Sequence, residues 1–146
     1  MRLRDRYEEY KLRHLKIGRV KNLDKKNPSD FQIEKISWEV SWQTGLYLAV
    51  IIRDYLRFFI KNTQVVGNCV VEDYEIYRQC KDEDADKYAQ KWEERVNSVA
   101  DEFDELIKML ISDEIGEDVS EFNKKQKALE KKAFNDLAEI FDDLWW

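Results

Sequence analysis

The sequence predicts an all-α fold, a helical bundle with one buried central helix and two long antiparallel C-terminal helices, and three observations carry that expectation. One Pro and four Gly in 146 residues leave few places for tight turns, while 38% charged residues suit exposed helix faces. Apolar residues recur at three- and four-residue steps through most of the second half. Between the two halves lies Leu46 to Ile60, LYLAVIIRDYLRFFI, an almost wholly apolar block. With 43% apolar and 13% aromatic residues, the chain is expected to bury its core as a single domain over residues 1–146.

Residues 3–16 are predicted helical, although Leu3, Tyr7, Tyr10, Leu12, Leu15 and Ile17 keep no clean period and part of the segment can be extended. Gly18 makes a weak stop. The stretch Asn22 to Asp30, NLDKKNPSD, reads as a loop punctuated by Asn27-Pro28, with Ser29 or Asp30 as the next cap. Phe31, Ile33, Ile36, Trp38, Val40 and Trp42 mix the two periods, and continuity with the following block favours helix over strand.

Leu46 to Ile60 is shorter than the roughly twenty residues a bilayer-spanning helix needs. It also contains Arg53, Asp54 and Arg57, so it is expected to be the buried central helix of a domain outside the membrane. Arg53, Arg57 and Lys61 fall at i, i+4 and i+8 and form one narrow basic stripe. The rest of the chain is expected to cover everything but that stripe.

Asn62 to Asn68 reads as a second connection, and Val70, Val71, Tyr74 and Tyr77 as a short helix ending near Cys80. The acidic run Lys81 to Asp86 places carboxylates at the positive end of the next helix. That helix follows Ala85, Tyr88, Ala89, Trp92, Val96, Val99, Phe103, Ile107 and Leu110 toward Gly116. The last helix, capped at Ser120, carries Phe122, Leu129, Ala133, Leu137, Ile140 and Leu144, widened by Phe134, Phe141 and Trp145. Two such helices across a short turn should lie antiparallel, with Leu46 to Ile60 in their groove. Trp38, Trp42 and Trp92 fall on apolar stripes and are expected in the core. Trp145 and Trp146 cannot both face inward, so one caps the core or meets a partner.

Charge divides the chain into a basic N-terminal segment, residues 1–26, and an acidic helical body, residues 30–146. The segment holds ten Lys and Arg against four Asp and Glu, a balance of +6, so the remainder of a chain of net charge −6 carries −12. Such a segment can dock on its own body or hold a phosphate backbone. The two cysteines, Cys69 and Cys80, lack metal-ligand spacing, and the charged start Met1-Arg2-Leu3-Arg4-Asp5 lacks an export-type apolar run. A cytoplasmic location with reduced thiols is the expectation; a Cys69–Cys80 disulfide remains open at this level.

No catalytic set stands out. His14 is the sole histidine, far from any Gly-framed nucleophile, and four scattered Gly make no phosphate loop. A non-enzymatic role without a cofactor is therefore expected. An alternative rests on Glu72-x-x-Glu75 and Glu102-x-x-Glu105, which project carboxylates at one-turn spacing as Mg²⁺-dependent all-α nucleotide pyrophosphohydrolases require. At this acid content roughly six such pairs arise by chance, so the pattern is weakly specific. A second alternative is nucleic-acid binding through residues 1–26, where Tyr7 and Tyr10 interleave with Arg4, Arg13, Lys16 and Arg19. A third reading uses the acidic clusters, Asp82, Glu83, Asp84 and Asp86 or Asp101, Glu102, Asp104 and Glu105, to mimic nucleic acid.

The pattern Trp42-x-x-x-x-x-Leu48-Ala49-x-x-Ile52-x-x-x-Leu56-x-x-Phe59 with a closing Leu137-x-x-Ile140-Phe141-x-x-Leu144-Trp145 resembles a group of small uncharacterised phage-encoded helical proteins. Lys91-Trp92-Glu93, opening a long helix, is similar as well. Gly45 stands where that group has Asp, and Asp54 where it has Pro. The resemblance implies a phage or mobile-element origin and no mechanism. The expected function is a phage-type accessory protein that binds a host or phage macromolecule, in its sharper form an inhibitor of a nuclease or defence system. A protein partner would meet Asp101, Glu102, Asp104, Glu105, Trp145 and Trp146.

Overall fold

The computed structural model describes residues 18–22, 27, 32–71, 82–112 and 118–145. The predicted helices over 3–16 and 70–80, most of the 22–30 loop and the turn at Gly116 lie wholly or largely outside these residues. The chain falls into two compact units, Met1–Tyr47 and Leu48–Trp146.

In the first unit β1 (Arg19–Lys21) pairs antiparallel with β2 (Gln32–Glu34), with Val20 opposite Ile33. Gly18 leads into β1 at φ +107°, and a Cβ there would crowd the Glu34 carbonyl oxygen and the Ile33 and Ile36 side chains. Only glycine adopts that backbone and fits that space. Lys21 Nζ reaches Glu34 Oε1 at 2.5 Å across the pair. The helix expected from Phe31 onward therefore begins later. Lys35 stands at φ +52°, which a helix cannot accommodate, and the extended Ser37 accepts a hydrogen bond from the Val40 N–H at 3.3 Å. Helix α1 (Trp38–Trp42) starts after that cap, and Val40 is its buried residue. It stops at Gln43, after which α2 (Thr44–Asn62) begins.

In the second unit α3 (Asp82–Ile111) packs on α4 (Val119–Ile140). Arg95 reaches Asp136 and Glu139, Glu102 reaches Lys132, and Phe103 meets Phe134, so positions rise along α3 as they fall along α4. The two long helices are antiparallel, as the sequence predicts. Helix α4 is capped by Asp118, whose carboxylate accepts from the Glu121 N–H at 3.0 Å, and not by Ser120. Asp118 takes the cap because it is extended while Ser120 already lies within the helix. Residues 48–62 of α2 also run antiparallel to α3, since Arg53 meets Asp104, Arg57 meets Asp101 and Asn97, and Phe59 meets Trp92.

The central position belongs to α3. It contributes Trp92, Val96, Val99, Ala100, Phe103, Leu106 and Ile107 to the core, against Ala49 and Leu56 from α2 and Ala133 and Ile140 from α4. Burying a side chain such as Phe103 stabilises the fold by about 1.5–3 kcal/mol. Leu46 to Ile60 is helical but is not the buried centre, because only one of its sides faces α3.

Candidate functional site

Helix α2 presents its basic stripe to α3. Arg53 Nη1 donates to Asp104 Oδ1 at 2.9 Å, and its Nε donates to the neighbouring Asp54 at 2.9 Å. Arg57 donates to Asn97 Oδ1 at 2.7 Å and pairs with Asp101. Arg53 first, then Lys108, hold the Asp104 carboxyl below its usual range. The stripe expected to stay uncovered is thus an interhelical contact, except for exposed Lys61.

The opposite side of α2 stays open. At 100° per residue Leu48, Tyr55 and Phe58 fall within about 80° of arc, away from Arg53. They are 51%, 75% and 67% exposed. Sequence reading missed them as surface residues because α2 is apolar nearly all round, which marks no side as outward.

The acidic residues proposed as a partner surface are largely engaged within the chain. Asp101 and Asp104 hold α2, and Glu105 pairs with Lys108 at 2.7 Å. Glu102 turns the other way, into the seam between α3 and α4, where Lys132 bonds it and also bonds Asp136 at 2.8 Å. Glu102 Oε2 is buried with no hydrogen-bond donor among the described residues. Burial first, with Asp136 adding to it, pushes the Glu102 carboxyl up, while Lys132 chiefly holds Asp136 down. Arg95 and Glu139 close the seam beside Asp136.

The carboxylates of the metal alternative therefore do not converge on one point from α3. The Glu102 side chain is 12% exposed in the seam, whereas Glu105, 62% exposed, faces outward to Lys108. Glu72 and Glu75 lie outside the described residues. Among the described residues no group of His, Cys, Asp and Glu is placed to hold a metal ion, and no helix is long and apolar enough to cross a membrane.

Among the described residues of the second unit, two depressions flank α3. One, about 410 Å³, runs along α3 past Glu93, Glu94, Asn97 and Asp101. The other, about 180 Å³, lies beside Ile60, Val65, Val66 and Trp92. Trp92 is the expected core tryptophan, 1% exposed, with its indole N–H buried and without an acceptor among the described residues. Its six-membered ring lies against Gly67, close enough that a Cβ there would sit 2.5 Å from Cζ3. Trp38 and Trp42 depart from expectation, each 75% exposed, because they sit on a five-residue helix whose buried position is Val40. Trp145 is 54% exposed and Trp146 lies outside the described residues.

Cys69 carries a free thiol beside the C-terminal turn Phe141–Asp143, where its N–H donates to Asp143 at 2.9 Å. Partial burial first, then the Asp143 carboxylate, push the thiol up to about 11. Its suggested partner Cys80 lies outside the described residues. No family model, curated protein or solved structure matches the chain.

Proposed function

We propose that this chain is a non-enzymatic binding protein that contacts a macromolecular partner through the outward face of α2. The observation that carries the reading is the exposure of Leu48, Tyr55 and Phe58 on one side of a helix whose other side is docked. Contiguous exposed apolar residues on a folded domain mark contact surfaces, and aromatic residues dominate the energetics of such surfaces. A partner at this face is bound by apolar burial with modest help from charge. The phage-type accessory role implied by the resemblance is compatible with such a surface.

The acidic faces support an inhibitor reading less well, because Asp101 and Asp104 already neutralise Arg57 and Arg53. Capture from host lysate by immobilised wild-type protein, beside a Tyr55→Ser/Phe58→Ser variant and a Glu105→Gln variant, separates the two. The proposal expects a partner that survives high salt, persists with Glu105→Gln and is lost with the α2 variant. Capture that disappears in salt and ignores the α2 variant would return the function to the charged faces.

A further inference from the structure

Lys132 and Asp136 stand one helical turn apart on α4, and Glu102 enters the same seam from α3. The Lys132 ammonium bonds both Glu102 Oε1 and Asp136 Oδ2, the latter at 2.8 Å, so one cation holds two carboxyl groups. Arg95, also from α3, lies 3.8 Å from Asp136 Oδ1 and pairs with Glu139. Among the described residues the seam thus gathers two cations and three carboxyl groups, one negative charge in excess. Glu139 is 68% exposed, and water screens its charge. Glu102 and Asp136, 12% and 20% exposed, have little such help.

We propose that Glu102 and Asp136 share one proton, carried on Glu102 Oε2 and donated to the Asp136 carboxylate, and that this proton latches α4 to α3. Oε2 is the buried oxygen that lacks a donor among the described residues, whereas Oε1 already takes the Lys132 ammonium. An ionised Glu102 leaves that oxygen desolvated and unpaired; protonation turns it into a donor. Asp136 is the acceptor within reach, since the two side chains hydrogen-bond each other. Two carboxyl groups this close do not both ionise readily, and the proton stays on Glu102 because Asp136 faces both Lys132 and Arg95. With it bound, the five groups sum to zero charge. The proton comes from solvent and returns there when α4 parts from α3 and Glu102 is wetted. In water the ordinary value of Glu102 is 4.5, below its value in the closed seam. The latch is therefore fully closed below 4.5 and is lost as pH rises through the higher value. Asp136, held low, changes its contribution only below 3.8, outside that window. The latch does not depend on the α2 face.

Carbon-13 NMR titration of the side-chain carboxyl groups in the full-length protein tests the shared proton. The pair should titrate in two steps, the upper one seen most strongly at Glu102 and lying above 4.5. Asp136→Asn offers Glu102 an amide donor in place of a carboxylate and should lower the Glu102 midpoint, which burial alone would not do. Amide hydrogen exchange, corrected for its intrinsic pH dependence, tests the latch. Protection in α4 should fall by up to about tenfold per pH unit between 4.5 and the Glu102 midpoint, and protection in α2 should not. Glu102→Gln, which keeps a donor toward Asp136 but cannot ionise, should hold α4 protection constant across that range; unchanged circular dichroism shows that both variants fold. A Glu102 midpoint at or below 4.5, or one that Asp136→Asn leaves in place, would overturn the shared proton. The same pH-dependent loss in Glu102→Gln as in the wild type would overturn the latch.

Discussion

Gly67 and Cys69 show how much single positions carry in the connection after α2. Gly67 lies at φ −67°, so its requirement is one of space: the Trp92 ring occupies the volume a methyl group would need. Gly67→Ala should cost about 1–3 kcal/mol through displacement of a packed ring. Chemical denaturation monitored by far-ultraviolet circular dichroism measures it; a neutral substitution would mean that the ring moves freely. Nothing local in NTQVVGN announces this contact, since it joins residues far apart in the sequence. Cys69 gives a second prediction at this scale. Its thiol, pushed from 9.0 up to about 11, should alkylate slowly at pH 8, the rate rising with pH as the thiolate forms. In a Cys80→Ser background, Asp143→Asn removes the smaller of the two main causes and should speed alkylation by about threefold to tenfold, since one unit is tenfold in thiolate. An unchanged rate would show that burial alone sets the thiol.

At the scale of elements, the seam between α3 and α4 links protonation to stability. Glu102 has a raised carboxyl, so its stabilising contribution is present below its ordinary value, 4.5, and is lost as pH rises through the raised value. Asp136 works in the opposite sense: held low by Lys132, it stabilises above its ordinary value, 3.8, and loses that contribution as pH falls. The wild type should therefore lose stability on going from mildly acidic to neutral pH, and Glu102→Gln should flatten that decline. Thermal melts across pH 4 to 8 measure both slopes; identical slopes would remove Glu102 from the account. The helices themselves were readable from sequence, because Trp92, Val96, Val99, Phe103 and Ile107 repeat at helical spacing and keep that spacing in the core. The stretch from Phe31 to Trp42 was not, since its apolar residues suit strand or helix and the decision falls to Lys35 at positive φ and Ser37 as a cap. Glu102 could be placed on a helix from sequence, but which side the seam occupies depends on α4.

For the whole molecule, the sequence pointed to a bundle and to an antiparallel pair but put the wrong helix at its centre. Helix α2 is the most apolar segment, and apolarity alone assigns it the deepest place. The structure instead centres the second unit on α3, which has a clear apolar stripe and polar residues that reach both neighbours. The basic stripe of α2 goes inward to Asp101 and Asp104, and Leu48, Tyr55 and Phe58 are left outward. An apolar arc of this kind on a chain of net charge −6 is expected to associate in a manner that salt strengthens, unlike a phosphate contact through residues 1–26. Hydroxyl-radical footprinting of the free chain, read residue by residue, tests this arrangement most directly. The arrangement predicts rapid oxidation of Tyr55, Phe58 and Leu48 with Trp92 and Phe103 protected, and protection of the first three when a captured partner is added. Tyr55 and Phe58 as slow to react as Phe103 in the free protein would contradict it.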